Sequence, residues 1–151
     1  MREMVFGVDV PAPAQVVWDA VVDWERQGRW LPFTRVEVVE AGPGGGLGTR
    51  FVARTGLGPL ALVDRMTVTE WEPPRRGVVT KTGRLMRGSA WFEVHPAGAD
   101  RSRLVWGEAL EPPAGPLGRP VGAALALGTG VFFRLALRRF VRHLGLPAGA
   151  A

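Results

Sequence analysis

The chain has 151 residues, 46% of them hydrophobic and 22% charged, which suits one domain (1–151) with a proper core. It holds no cysteine, which excludes disulfides, thiolate catalysis and thiol-ligated zinc; it also holds no tyrosine. The net charge of +5 rests on nineteen basic residues, eighteen of them Arg, placed singly or in pairs such as Arg75-Arg76 and Arg138-Arg139. No basic run follows a nucleic-acid backbone, so no nucleic-acid partner is expected, whereas an acidic protein partner or an anionic lipid surface fits the mild excess.

The N-terminus does not join a basic start to an apolar run of signal-peptide length, and a cytoplasmic protein is expected. Residues 2–10 alternate, with Met4, Phe6, Val8 and Val10 on one side, as in a half-buried strand. Pro11-Ala12-Pro13 ends it. From Pro13 the apolar positions Val16, Val17, Ala20, Val21 and Trp24 switch to a helical period, and Gly28 closes that turn. Arg29-Trp30-Leu31-Pro32-Phe33 follows as an aromatic connection.

Strand-like runs then fall near 35–41, 49–56, 60–72, 77–83, 86–96 and 102–110, with turn residues between them. Short connections favour an antiparallel meander. The Pro- and Gly-rich stretch Glu111 to Arg119 leads into a long helix, Pro120 to Leu144, roughly 36 Å at 1.5 Å per residue. Gly145 and Leu146-Pro147 mark its end. Only thirteen residues separate Pro120 from Arg134, which argues against a bilayer span. Its stripe of Phe133, Leu137, Phe140 and Leu144 continues backwards into Thr129 or Gly130, Ala126 and Gly122, so a bulky face becomes a small one. Either a cavity lies beneath that half or the helix backbone packs closely on a sheet. Leu125, Val131 and Phe132 lie off this stripe, and either the 111–119 crossover covers them or a second copy does, giving a homodimer.

The runs Val10-Pro11-Ala12-Pro13-Ala14-Gln15-Val16-Val17-Trp18-Asp19, Trp30-Leu31-Pro32-Phe33, Gly46-Leu47-Gly48-Thr49-Arg50-Phe51 and Val68-Thr69-Glu70-Trp71-Glu72-Pro73-Pro74-Arg75 resemble the polyketide cyclase/dehydrase branch of the START-like (Bet v 1-like, SRPBCC) superfamily. The resemblance implies an α+β helix-grip fold, a curved seven-stranded antiparallel sheet wrapped around the C-terminal helix. It also implies binding or transport of a hydrophobic or aromatic, lipid- or polyketide-like small molecule. A cyclase/aromatase activity and an interaction protein with a closed cavity are the alternatives. The family's cyclases use aromatic and Arg or Tyr side chains in the cavity.

Gly42-Pro43-Gly44-Gly45-Gly46-Leu47-Gly48 matches no phosphate-loop spacing and precedes a strand, so it reads as a hairpin loop at the cavity mouth. His95 and His143 stand alone, no metal site or cofactor is implied, and Ser89 and Ser102 lie outside any nucleophile-elbow context. Alternation puts Asp64 beside Leu62, Met66, Val68 and Glu70, and Glu108 beside Leu104, Trp106 and Leu110. If those faces point inward, Asp64 or Glu108 is a buried acid, base or ligand contact; otherwise each pairs with Arg65, Arg87 or Arg103, or faces water. The candidate ligand-binding set is Trp30, Phe33, Phe51, Asp64, Met66, Phe92, Trp106, Glu108, Ala126, Thr129, Gly130 and Phe133.

Overall fold

A computed structural model describes residues 2–145; the stop expected at Leu146-Pro147 lies outside them. Strand β1 (Arg2–Val10) leads into helix α1 (Ala14–Val21) and a 3₁₀ segment, Trp24–Arg29. Strands β2 (Thr34–Glu40), β3 (Arg50–Thr55), β4 (Leu62–Glu72), β5 (Arg76–Thr82), β6 (Arg87–Pro96) and β7 (Ser102–Glu111) follow, then helix α2 (Gly118–Gly145). The seven strands form one antiparallel sheet in the order β1-β7-β6-β5-β4-β3-β2. All neighbours are consecutive hairpins except β1, which returns to β7, so the expected meander and helix-grip fold are present.

The first helix is shorter than its period suggested. Val17, Trp18 and Val21 are buried while Val16 is exposed, so the buried face turns toward Trp18. The helix stops at Val21, and the Gln27 side-chain amide donates to the Val21 carbonyl at 2.8 Å, satisfying one of the orphan acceptors at a helix end. This bond swings the 3₁₀ segment under the sheet, where the Trp24 ring stacks on Phe51 with centroids 4.7 Å apart.

A bulge between Val68 and Glu70 interrupts the alternation of β4. Asp64 and Val68 point inward as expected, but Glu70 turns out to meet Arg76. Trp71 takes the inward position and lies 5.0 Å from Trp18. Rings of Trp18, Trp24, Trp71, Phe92, Trp106 and Phe133 then form a continuous aromatic cluster on the concave face.

Helix α2 buries Ala126, Thr129, Phe133, Ala136, Leu137 and Phe140, the stripe read from the period. Although long and apolar enough by length and composition to cross a membrane, it packs Ala136, Leu137 and Phe140 into the core, in keeping with the expectation against a span. Gly122 packs against the crossover, where an added Cβ would sit 3.2 Å from that of Pro112. Close backbone packing therefore explains this glycine.

Candidate functional site

Between the sheet and the N-terminal half of α2 lies a cavity of about 480 Å³, within the range of small-molecule sites, roughly 300–1,000 Å³. Its walls are apolar: Trp24, Phe51, Met66, Phe92, Trp106 and Phe133 supply most of the bulk. Val121, Ala124 and Gly128 line it and are also exposed, so there the wall is one helix thick.

Three charged side chains meet in this apolar space. Lys81 Nζ donates to Asp64 Oδ2 at 2.7 Å and lies 3.1 Å from Glu108 Oε2. The second approach is an ion-pair contact, and Asp64 Oδ1 has no hydrogen-bond partner among the described residues. Glu108 Oε1 accepts from the Trp106 indole N–H at 3.0 Å.

The register explains how groups on three strands converge. Lys81 stands opposite Gly88, and Glu108 stands opposite Ala90, so two small residues on β6 separate them. The four-carbon stem of Lys81 reaches across that gap. At Gly88, φ is +127° and an added Cβ would lie 1.9 Å from the Ala109 carbonyl oxygen, so no side chain is accommodated there.

Burial pushes the Glu108 carboxyl up; Lys81 and the Trp106 N–H pull it down without cancelling this, and Asp64 adds to the rise. For Lys81, burial alone would lower the ammonium, but the Glu108 and Asp64 carboxylates together outweigh it and hold the group above its ordinary value of 10.5. Lys81 is thus a cationic donor rather than a nucleophilic amine. Glu108 is a carboxyl group poised to hold a proton.

Of the candidate set, Phe51, Asp64, Met66, Phe92, Trp106, Glu108, Thr129 and Phe133 line the cavity together. Four do not. Trp30 is packed in the core against the edges of Trp106 and Phe140. Phe33 is 78% exposed because the turn holds it at φ +50°, which aims its ring off the sheet. Ala126 and Gly130 are buried beside the cavity, which takes the neighbouring flank of α2, where Leu125 and Phe132 turn inward instead. The glycine-rich loop does not itself line the cavity but packs behind its wall: the indole of lining Trp24 donates to the Gly45 carbonyl at 2.9 Å, and Gly46 lies on the Trp71 ring.

The partners expected for the two acids are not the ones found. Arg65, Arg87 and Arg103 are exposed, and Arg87 and Arg103 pair with Glu111 and Asp9. Lys81 was not singled out from the sequence. Two signals pointed to it: it alternates inward with Gly77 and Val79, and it is the one lysine in a chain otherwise using Arg. His95 pairs with Glu93 near the surface, His143 is exposed, and no group of metal-ligating side chains occurs among the described residues.

A curved antiparallel sheet gripping a long helix over an apolar cavity defines a helix-grip fold. Within that class, the chain belongs to the family described as polyketide cyclase / dehydrase and lipid transport, which matches residues 1–145. Among solved structures it is similar to the Zhui aromatase/cyclase of a Streptomyces species, with 17% identity and a TM-score of 0.84 over 99% of both chains. A Thermus thermophilus protein superposes at 18% identity and a TM-score of 0.79, covering 95% of this chain and 97% of that one. A START superfamily protein from Mycobacterium smegmatis gives 16% and 0.62, covering 88% and 96%. At these identities the likeness is one of fold. No curated protein sequence matches the chain.

Proposed function

We propose that this domain is a cytoplasmic binding or carrier module for a hydrophobic, lipid- or polyketide-like molecule whose polar part donates hydrogen bonds. The observation that carries this reading is the buried Asp64–Lys81–Glu108 cluster inside an otherwise apolar cavity. Two carboxylates and one ammonium leave one excess negative charge when all are ionised. Asp64 Oδ1 is an acceptor without a donor among the described residues, and Glu108 Oε2 has the Lys81 ammonium beside it at 3.1 Å. A ligand hydroxyl group would satisfy the former, whereas a ligand carboxylate would add like charge in a low-dielectric space. The rings of Trp24, Phe51, Phe92, Trp106 and Phe133 suit a flat body.

The position of Trp106 beside Glu108 provides the assay, since its fluorescence reports occupancy. A hydroxylated anthraquinone should bind and palmitate should not; equal binding of both, or of palmitate alone, would overturn the donor requirement. Native mass spectrometry of protein from its own host should show a retained small molecule.

One observation supports the cyclase/aromatase reading as a second possibility: Glu108, whose affinity for a proton is raised by burial, sits beside a cationic Lys81. Glu108 as carboxylate would take a proton from carbon next to a ligand carbonyl while Lys81 hydrogen-bonds the resulting enolate oxygen. The enolate carbon then attacks a second carbonyl, whose π bond breaks as the carbon–carbon bond forms, and the new alkoxide takes the proton back from Glu108. Glu108→Gln or Asp64→Asn separates the two. In a carrier they change affinity modestly and no product forms from a polyketide-like substrate; in an enzyme Glu108→Gln lowers turnover about 10²–10⁴-fold with binding retained. The closed-cavity alternative loses its premise in the open 480 Å³. For a homodimer through α2, Leu125 and Phe132 are already used by the cavity, leaving Val131 exposed. An anionic partner fits that helix better, for the reason given next.

A further inference from the structure

The net charge is not spread over the molecule. Outside α2, thirteen arginines and Lys81 balance all fourteen Asp and Glu residues, so that part is formally neutral. Helix α2 contains Arg119, Arg134, Arg138, Arg139 and Arg142 and no carboxylate, and therefore holds the whole excess of +5. Its outer face is divided lengthwise. From Pro120 to Phe133 there is no charged residue, and Leu127 is 71% exposed, Val131 50% and Leu135 48%. Beyond that, Arg134, Arg138 and Arg142 occupy the same outer face, all exposed.

Further exposed leucines adjoin cavity-lining residues in sequence: Leu57 and Leu60 stand in the loop joining the lining residues Thr55 and Leu62, Leu85 adjoins lining Met86, and Leu117 precedes α2. An exposed apolar half beside a basic half on one helix face is the composition of an interfacial amphipathic helix, whose apolar side enters the headgroup boundary while its cations meet anionic lipid.

We propose that the outer face of α2 docks on an anionic lipid bilayer, lying in its surface with Leu127 and Val131 inserted and Arg138 and Arg142 at the phosphates. Charge selects this occupant over a second copy, because a two-fold contact through α2 would set five cations against five with no acid to pair them. The helix lies on the bilayer and does not cross it: Ala136, Leu137 and Phe140, at most 3% exposed, remain packed on the sheet. Because Val121, Ala124 and Gly128 face both solvent and cavity, docking would bring the cavity's thinnest wall against the lipid.

The test is co-sedimentation of the full chain with vesicles of phosphatidylcholine alone or mixed with phosphatidylglycerol, with light scattering on the free protein. Wild type should sediment with the mixed vesicles only, and less so as salt rises. Arg138→Gln and Arg142→Gln should each weaken binding about fivefold. Neither arginine makes an ion pair among the described residues, so folding should be unaffected. Leu127→Glu with Val131→Glu should abolish binding, with the far-ultraviolet circular dichroism spectrum retained. Equal binding to both vesicle types, binding to neither, or unchanged binding of the double arginine variant would overturn the proposal. So would a dimer in solution that Val131→Glu dissociates, which would assign the face to a second copy.

Discussion

Removing the ammonium at the centre of the buried cluster should be the most costly single change in the cavity. In Lys81→Met a side chain of similar length is kept, but Asp64 and Glu108 lose the only cation within ion-pair reach among the described residues. Breaking a buried pair from one side costs about 3–5 kcal/mol. Each kcal/mol lowers the melting temperature of a chain this long by about 2–4 °C, so a fall on the order of 10–15 °C is expected. The Glu108 carboxyl can relieve the loss by taking a proton, which fixes the sign of the pH dependence. The deficit should be largest at neutral pH and shrink as pH approaches 4.5, the ordinary value of a Glu carboxyl. In the wild type, the raised Glu108 value means that the folded state binds the extra proton, so its contribution falls as pH rises above 4.5 through the folded-state value. The Lys81 contribution is fully present below 10.5 and is lost as pH rises through its raised folded-state value. Thermal melts followed by near-ultraviolet circular dichroism across this range measure both. Replacing all three groups by apolar ones, Asp64→Leu, Lys81→Met and Glu108→Met, should restore stability to wild type or above. A Lys81→Met deficit below about 1 kcal/mol, or one independent of pH, would show that water already solvates the cluster and would refute its burial.

Filling the cavity should separate stability from binding. Ala53→Leu places about three added carbon groups against the cavity and should raise stability by up to about 2 kcal/mol while abolishing retention of a ligand in native mass spectrometry. A destabilised Ala53→Leu would mean that the space is already filled. Gly77→Ala should do the opposite, costing about 1–3 kcal/mol in urea unfolding, because its Cβ would meet the buried Phe92 ring at 2.3 Å.

The sheet was legible because alternation is a strict period of two, and hairpin turns rich in Gly and Pro left little choice of strand order. That same period carried Asp64 and Glu108 to the inner face. It failed at Glu70, where one extra residue in the bulge reversed the count, and at Phe33, where a left-handed backbone overrode the aromatic side chain. The helical stripe gave the buried face of α2 correctly. It could not say which flank borders empty space, because that depends on how far the sheet curves, a property of all seven strands together. Hence Leu125 and Phe132 line the cavity while Ala126 and Gly130 do not. Lys81 was missed for a different reason. Arg is abundant and was sought as the partner, but its fork is better suited to the solvated edge pairs seen at Arg50–Glu40 and Arg76–Glu93, while a single long ammonium can thread over Gly88 and Ala90.

The pairing of Arg2 with Leu110 and of Val10 with Ser102 has a consequence for the order in which the molecule can be assembled. Strand β1 is made before the other six, yet its neighbour in the sheet, β7, is made last among them. Until then Met4, Phe6 and Val8 have no sheet to rest on, while β2 to β6 can zip up locally, one hairpin after another. Helix α2 follows later still. The sheet can therefore be largely complete on the ribosome while the pocket lacks its lid, and the cavity closes only after the strands that wall it.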